Sequence, residues 1–150
     1  MKVRLSVSKE HYQEIKIALT EHGIEIDDNS DLVLSENNRY LDNLMVKDPK
    51  TNEKIYLSVN DIISIESFGH SVEVYTQDKT FQSAERLYKI ASRLDPAAFI
   101  RISNSVIAAR NKIKKINPTF SMKFILTMHN GRKVDVTRSY YYIFKDYFHI

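Results

Sequence analysis

From residue 43 to residue 136, short apolar runs alternate with turn-forming residues, and this pattern constrains the fold more than any other feature. Within the runs, apolar and polar residues tend to alternate with the period of a half-buried β-strand. Gly, Pro, Asn and Asp between the runs supply the turns. The region is therefore predicted to be mainly β, with strands at residues 44–46, 55–57, 62–65, 72–75, 80–81, 99–101, 113–116, 124–128 and 133–136.

The sequence predicts the structure of two connections between these strands. Asn130-Gly131 is the strongest hairpin signal in the chain, because a type I′ turn needs two residues with positive φ. Residues 66–71 contain Gly69 and separate two predicted strands, so they are predicted to form a loop.

Two helices are predicted beside the strands. One covers residues 84–94, with Ser83 as its N-cap and Pro96 ending it. The other begins at Ser139, because apolar and aromatic residues then recur at helical spacing: Tyr140, Ile143, Phe144, Tyr147 and Phe148. The predicted fold class is mainly β with flanking helices, an α+β arrangement.

The N-terminal segment has a different pattern, that of a small strand-helix-strand unit. Residues 2–7 alternate as a strand, Ser8 is a good N-cap, and Tyr12, Ile15 and Leu19 form a helical stripe that Gly23 ends. A second strand follows at residues 32–34, and the polar residues 35–40 are the expected linker. The predicted organisation is a unit at 1–42, too small to fold alone, and a domain at 43–150.

Composition excludes several classes of protein. Hydrophobic residues make up 43% of the 150 residues and charged residues 27%, which is ordinary for a folded chain and excludes wholesale disorder. No apolar run is long enough to span a bilayer, and the N-terminus does not resemble a signal peptide. The absence of cysteine excludes disulfides and thiolate chemistry. We therefore expect a cytoplasmic protein.

Charge is divided unevenly along the chain. From residue 99 to residue 150 there are ten lysines and arginines against two aspartates, a net charge of +8. The first 98 residues hold the other 12 lysines and arginines and 17 acids, a net charge of −5. Such a basic half favours a polyanionic partner, most often a nucleic acid, although chance clustering on a solvated face explains the charge equally well.

The residues offer little material for an active site. Five histidines are scattered without metal-ligand spacing, and three glycines are too few for a phosphate-binding glycine loop. The sequence therefore predicts a protein that is not an enzyme and that has no metal and no cofactor.

Two segments instead carry the residue types of nucleic-acid recognition. Residues 99–116 place apolar residues between Arg101, Asn104, Ser105, Arg110, Lys112, Lys114 and Lys115, and residues 136–139 place Thr137, Arg138 and Ser139 before the last helix. Arginine recognises guanine, asparagine recognises adenine, and lysines and hydroxyls hold phosphates. The alternative is structural: Asn104 and Ser105 shape a turn, and Arg138 pairs with Asp135.

Four motifs in order along the chain resemble the LytTR domain. They lie at residues 61–74, 99–106, 113–116 and 130–141, and the resemblance spans 43–150. It implies a bacterial transcription regulator with a mostly β fold, whose loops enter successive major grooves of duplex DNA. By motif, the implied base contacts are His70, Asn104 and Arg138. The expected backbone contacts are Ser71, Arg101, Ser105, Lys112, Lys114, Lys115, Thr137 and Ser139.

The resemblance also implies partners. Too few residues precede the LytTR-like region for a receiver domain, so the chain is similar to stand-alone LytTR regulators. We expect a homodimer on paired half-sites, and the resemblance implies control by a membrane-bound inhibitor protein. The N-terminal unit, with four basic and seven acidic residues in 1–35, is expected to control assembly or regulation rather than contact DNA.

Two other functions remain open. One is a β-rich RNA-binding module that stacks bases on Tyr140, Tyr141 or Phe120. The other is a protein-interaction module whose acidic first half is the working surface. Duplex binding that survives single-stranded competitor would exclude the first, and any nucleic-acid binding would count against the second.

Overall fold

A computed structural model describes residues 1–36 and 40–150. The chain divides into two compact units, Met1–Arg39 and Tyr40–Ile150. Of the predicted linker at 35–40, residues 37–39 lie outside the described residues.

The first unit is a three-stranded parallel sheet with one helix. Its elements are β1 (Lys2–Ser6), α1 (Lys9–Glu21), β2 (Glu25–Ile26) and β3 (Val33–Ser35), in the sheet order β2-β1-β3. The predicted stripe of Tyr12, Ile15 and Leu19 is half-buried, but α1 has no fully buried residue. The unit therefore has little core, as its length predicts.

Ser8 occupies the N-cap position of α1 but does not cap it with its hydroxyl. The Ser8 Oγ lies 3.3 Å from Nδ1 of His11, and the Ser8 backbone N–H donates to Oε1 of Glu36 at 2.7 Å. These bonds from Ser8, first of all the backbone one, lower the pKa of the half-buried Glu36 carboxyl to about 2. The carboxylate thus takes part in ordering the entry to the helix.

The second unit is built around a seven-stranded antiparallel sheet. Its order is β5-β4-β8-β7-β6-β10-β9. The strands are β4 (Asn43–Lys47), β5 (Lys54–Ser58), β6 (Ser64–Phe68), β7 (Ser71–Tyr75), β8 (Thr80–Ser83), β9 (Phe99–Arg101) and β10 (Val106–Ala109). The helix α2 (Leu87–Arg93) follows β8 and packs against one face of this sheet.

A smaller antiparallel sheet and the last helix complete the second unit. The sheet contains β11 (Ile113–Pro118), β12 (Phe124–Met128) and β13 (Lys133–Val136) in that order. The helix α3 (Tyr141–Phe148) buries Phe144 completely and stacks Tyr141 on Phe124, with ring centroids 5.0 Å apart. The mainly β fold with flanking helices is confirmed.

Two hydrophobic cores share the strands of the large sheet. The first lies between that sheet and α2 and contains Ile65, Val74, Phe81 and Ile90 among its buried residues. The second lies between the large sheet, the small sheet and α3, and its fully buried residues include Ile102, Leu126 and Phe144.

Strand β10 is missing from the sequence prediction because it belongs to both cores. Ile107 and Ala109 face the first core, while Val106 and Ala108 face the second. All four residues are buried. A strand covered on both faces shows no polar alternation, so its pattern does not separate it from a loop or a buried helix.

Three predictions in the large sheet and α2 differ from the structure. The helix predicted at 84–94 begins only at Leu87, because β8 continues through Ser83, whose hydroxyl accepts from the Glu85 backbone. The strand predicted at 62–65 begins at Ser64, after a 3-10 turn at Val59–Asp61. The predicted loop at 66–71 is mostly strand, and its true turn is residues 69–70.

The hairpin at Asn130-Gly131 is confirmed, but the predicted type I′ turn is wrong. Only Gly131 has positive φ, at 84°, and its N–H donates to the Met128 carbonyl at 2.9 Å. This is a type I turn followed by a left-handed glycine, which adds one residue to the loop.

The last helix differs from its prediction in a similar way. Residues Arg138–Tyr140 form a 3-10 turn, and α3 begins at Tyr141 rather than Ser139. Of the predicted apolar stripe, Ile143 is exposed. Tyr141, which the stripe does not include, packs against the second core instead.

Candidate nucleic-acid interface

Three segments of the second unit lie together at one end of the large sheet. Strands β6 and β10 are antiparallel with Val106 opposite Glu66, so the start of β10 lies beside the end of β6. The β6–β7 turn at 69–70 and the β9–β10 turn at 102–106 are therefore neighbours. The segment 137–140 before α3 joins them, and we call the three segments the turn cluster.

Backbone hydrogen bonds hold the turn cluster together. The Ser67 N–H donates to the Ser105 carbonyl at 2.8 Å, which joins the end of β6 to the β9–β10 turn. The Thr137 N–H donates to the Ile102 carbonyl at 3.0 Å, which joins the segment before α3 to the same turn. Because both bonds join backbone groups, side-chain substitutions in the turns leave them in place.

The β6–β7 turn is a two-residue turn that presents His70. Gly69 has a φ of 60° and His70 does not have positive φ, which is the pattern of a type II′ turn with glycine first. His70 is exposed at the tip. The hydroxyl of Ser71, also exposed, donates to the Phe68 carbonyl at 3.0 Å. The imidazole is therefore carried on a short, well-defined support.

Arg101 and Ser103 shape the β9–β10 turn. The Arg101 guanidinium donates to the carbonyls of Ser103 and Asn104, at 3.1 and 2.5 Å. Ser103 is buried, and its hydroxyl accepts from the Ser105 backbone N–H at 3.2 Å. Arginine has five N–H donors, so Arg101 shapes the turn and keeps donors for an external anion.

Asn104 is exposed at this turn and is held by a tyrosine from the segment before α3. The Tyr140 hydroxyl donates to Oδ1 of Asn104 at 3.2 Å. An amide oxygen accepts two hydrogen bonds, so Oδ1 has one free lone pair and the amide nitrogen keeps both donors. Such an amide, held by its oxygen, can still pair bidentately with the edge of an adenine. The sequence assigned Tyr140 to a packing stripe or to base stacking and missed this bond.

Arg138 extends into solvent beside these groups. It is exposed, and within residues 1–36 and 40–150 its side chain makes no hydrogen bond or ion pair, including none with Asp135. Thr137 is half-buried and Ser139 is exposed on either side of it. The turn cluster thus brings together nearly all of the predicted contact residues outside the lysines 112, 114 and 115.

The fold and the order of these turns match one family of known domains. A sequence model of the LytTr DNA-binding domain matches residues 52–149, well over half of the chain. The chain belongs to the LytTR family.

Solved and curated relatives agree with this assignment. A solved LytTr DNA-binding domain from Bacillus cereus superposes with a TM-score of 0.69 and 25% identity, over 73% of this chain and 99% of that one. The transcriptional regulatory protein LytR of Staphylococcus aureus (strain MW2) is 32% identical over 95 residues. The sensory transduction protein LytT of Bacillus anthracis is 31% identical over 86 residues. These matches cover 63% and 57% of this chain but only 39% and 35% of the relatives.

The three predicted lysines lie away from the turn cluster of the LytTR domain. Lys112 lines a groove with Asp61 and Asp78, at the end of the large sheet opposite the turn cluster. Lys114 and Lys115 are exposed on β11, the edge strand of the small sheet, with a β-bulge at Lys114. The fold therefore separates cations that are close together in the sequence.

A partly buried charge network supports β6 and β7 below the turn cluster. Glu66 and Glu73 stand opposite each other in these strands, which is unfavourable for two carboxylates. Arg132, from the β12–β13 turn, donates to Glu66 at 2.5 Å, and its guanidinium lies 3.7 Å from the ring centroid of Tyr75. The Tyr75 hydroxyl donates to Glu73 at 2.5 Å. One arginine thus offsets the repulsion and connects the two sheets.

The surroundings of Tyr75 keep its hydroxyl protonated. Burial, followed by the hydrogen bond to Glu73, raises the pKa of Tyr75 well above its ordinary value. The hydroxyl therefore remains a donor to Glu73 throughout the physiological range of pH.

The described residues offer neither a metal site nor a membrane-spanning helix. Among residues 1–36 and 40–150, no group of three or more acidic or histidine side chains is arranged to hold a metal ion. In the same residues, no helix has the length and apolar character needed to cross a bilayer.

Proposed function

We propose that this protein is a sequence-specific, duplex DNA-binding transcription regulator that reads the major groove with its turn cluster. The observation that supports this proposal is the convergence of three segments that expose His70, Asn104 and Arg138 at one end of the sheet. The LytTR family assignment supports it independently.

Each side chain of the turn cluster has a role suited to its chemistry. Arg138, which has no side-chain partner in the described part of the chain, is proposed to pair bidentately with guanine, and Asn104 with adenine. His70 offers one donor and one acceptor to a base edge. Phosphate contacts are proposed for Ser71, Arg101, Ser105, Thr137 and Ser139, which surround the three base-reading residues, and for Lys114 and Lys115 on β11.

The RNA-binding alternative has less support from the aromatic residues. Tyr141 is half-buried and stacked on Phe124, and the Tyr140 hydroxyl is bonded to Asn104, so neither ring is a free platform. Phe120 is fully exposed but lies in the β11–β12 turn.

Selection of duplexes from a random pool at physiological salt tests the proposal. We expect an enriched sequence whose binding, measured by fluorescence anisotropy, persists in excess single-stranded RNA. Binding without enrichment of any sequence would contradict base reading. Displacement by single-stranded RNA would favour the RNA-binding alternative.

The proposal extends to the domain organisation of the chain and to its assembly on DNA. We propose two regions, 1–42 and 43–150, and a homodimer on half-sites one or more helical turns apart. Inserting half a helical turn between half-sites should then abolish cooperative binding, as measured by footprinting. Cooperative binding that survives this insertion would contradict the dimer.

The region 1–42 is proposed to control assembly or the response to a membrane-bound inhibitor protein. Its acidic excess repels phosphate, and Leu32, Val33 and Leu34 at its edge strand are exposed. Val33→Asp in the full chain should change self-association in sedimentation experiments while leaving half-site affinity intact, with Ile17→Asp on the exposed face of α1 as control. Loss of half-site affinity in the folded Val33→Asp variant would contradict this assignment.

A further inference from the structure

The loop that joins β11 and β12 exposes a phenylalanine at its tip. Phe120 is fully exposed and belongs to neither hydrophobic core, and Met122 beside it is also exposed. Single exposed apolar residues are common on protein surfaces. The support of the loop and its place in the fold therefore decide whether Phe120 has a function.

Hydrogen bonds close the loop at its base. The Thr119 N–H and the Thr119 hydroxyl both donate to the Lys123 carbonyl, at 2.9 and 3.1 Å. The Ser121 N–H donates to the same hydroxyl at 3.4 Å. The three residues 120–122 thus form a short hairpin loop, in which Met122 takes the left-handed position with a φ of 58°. Phe120 is carried on an ordered loop, so little entropy is lost when the loop meets a partner.

The register of the small sheet places this loop at the same end as the turn cluster. Phe124 is opposite Pro118 in β11 and opposite Val136 in β13. Val136 directly precedes Thr137, whose backbone bond to Ile102 belongs to the turn cluster. The β11–β12 loop and the segment before α3 therefore leave the small sheet at the same end.

The same register gives the separation of Phe120 from Arg138. Phe120 follows Pro118 by two residues, and Arg138 follows Val136 by two, so both lie beyond the same rung of the sheet. Neighbouring strands are about 4.8 Å apart, and β12 lies between β11 and β13, so the two residues are roughly 10 Å apart. This distance is about three base-pair steps of about 3.4 Å and fits within a major groove about 12 Å wide.

The chemistry of the loop suits one feature of the major groove. The apolar group that bases present there is the C5-methyl of thymine, and phenylalanine is among the side chains that contact it. Lys123 at the base of the loop is exposed, and its side chain makes no hydrogen bond or ion pair within residues 1–36 and 40–150. An ammonium group in this position can hold a phosphate.

We propose that the β11–β12 loop is a further DNA-reading element, in which Phe120 contacts a thymine methyl group and Lys123 holds a neighbouring phosphate. The thymine lies about three base pairs from the guanine paired with Arg138. The proposal rests on the proposed function, since it assumes that the turn cluster enters the major groove of duplex DNA. It adds an apolar contact to a set of contacts that is otherwise polar.

The first test removes thymine methyl groups one at a time. Each thymine of the selected duplex is replaced by deoxyuridine, and affinity is measured by fluorescence anisotropy for the wild-type protein and for Phe120→Ala. The wild-type protein should lose about fourfold at one position, the value for exposing one buried methyl group. Phe120→Ala should bind the thymine and uracil duplexes equally at that position. Tyr56→Ala, at an exposed aromatic residue of β5, is the control and should keep the wild-type difference.

The second test separates the apolar contact from the charged one by salt. Lys123→Gln should make the dependence of log affinity on log salt shallower by about 0.9 and should weaken the thymine and uracil duplexes alike. Phe120→Ala should weaken binding without changing this slope, because it removes no charge. Lys133→Gln, at the opposite end of the small sheet, is the matched control and should keep the wild-type slope.

The outcomes distinguish this proposal from the proposed function. If the wild-type protein prefers the selected duplex but no uracil replacement weakens it, or if Phe120→Ala or the Tyr56→Ala control alters the result in the same way, the role of Phe120 is overturned and the proposed function stands. An unchanged salt slope in Lys123→Gln would overturn the phosphate contact. If Phe120→Ala instead loses binding to single-stranded RNA alone, the ring is a stacking platform for RNA. If the wild-type protein binds no duplex, both proposals fail together.

Discussion

The two ends of the large sheet both carry polar residues but use them differently. At the end with the turn cluster, the Arg138 side chain has no partner among residues 1–36 and 40–150, and Asn104 keeps two amide donors that bond to none of these residues. At the opposite end, the amide nitrogens of Gln77 and Asn130 donate to the backbone carbonyls of His129 and Thr76, at 3.2 and 3.3 Å. The difference shows that internal pairing, rather than local charge, separates side chains available for recognition from those that hold the fold.

The largest expected effect concerns the network that connects the two sheets. Arg132→Met removes the partner of the buried Glu66 and leaves Glu66 and Glu73 facing each other. Breaking such a pair costs about 3 kcal/mol in the free energy of unfolding, which urea denaturation measures. Because Glu66→Gln removes the unpaired charge, adding it to Arg132→Met should recover part of the loss. A double variant no more stable than Arg132→Met would show that the arginine acts through packing on Tyr75 alone.

The next effect tests recognition at the turn cluster. Arg138→Ala should weaken binding to the selected duplex by about 1–3 kcal/mol and relax the preference at one base pair, with an unchanged melting temperature. Lys133→Ala, at the other end of β13, is the control and should preserve specificity. An Arg138→Ala protein that melts early but keeps its sequence preference would make Arg138 a structural residue.

A smaller effect is expected from the hydroxyl that holds Asn104. Tyr140→Phe removes one hydrogen bond, so we expect a loss of about 1 kcal/mol in affinity for the selected duplex. The loss should fall at the same base pair as that of Asn104→Ala, and the two should be non-additive because one side chain acts through the other. Tyr142→Phe, at an exposed tyrosine of α3, is the control. Additive losses at different base pairs would separate Tyr140 from Asn104.

The smallest effect separates the sequence argument from the structural one at Lys112. The sequence predicts that Lys112 contacts phosphate, so Lys112→Ala would make the salt slope shallower by about one unit. Its place beside two aspartates, opposite the turn cluster, leads us to expect an unchanged slope. Lys115→Ala on β11 provides the comparison within the same basic segment. A one-unit change at Lys112 would extend the DNA contact to both ends of the sheet.

Patterns that are local to the chain account for what was predicted correctly. Strands such as β7, β12 and β13 are covered mainly on one face, so alternation along the chain marks them. The ordered motifs around Asn104 and Arg138 carried the family resemblance, which the family match confirms. The turn at Asn130-Gly131 was located correctly, because glycine is favoured where φ must be positive, but its type depends on the register of the flanking strands.

By itself, the sequence determined the mainly β class, most of the strands and the residue types available for recognition. Only the tertiary structure decided which of those residues meet. The burial of β10 in two cores and the convergence of three turns both depend on strand order, β5-β4-β8-β7-β6-β10-β9. The physical reason is that alternation records which face of a strand is buried, whereas strand order results from hydrogen bonding and packing between residues distant in the sequence.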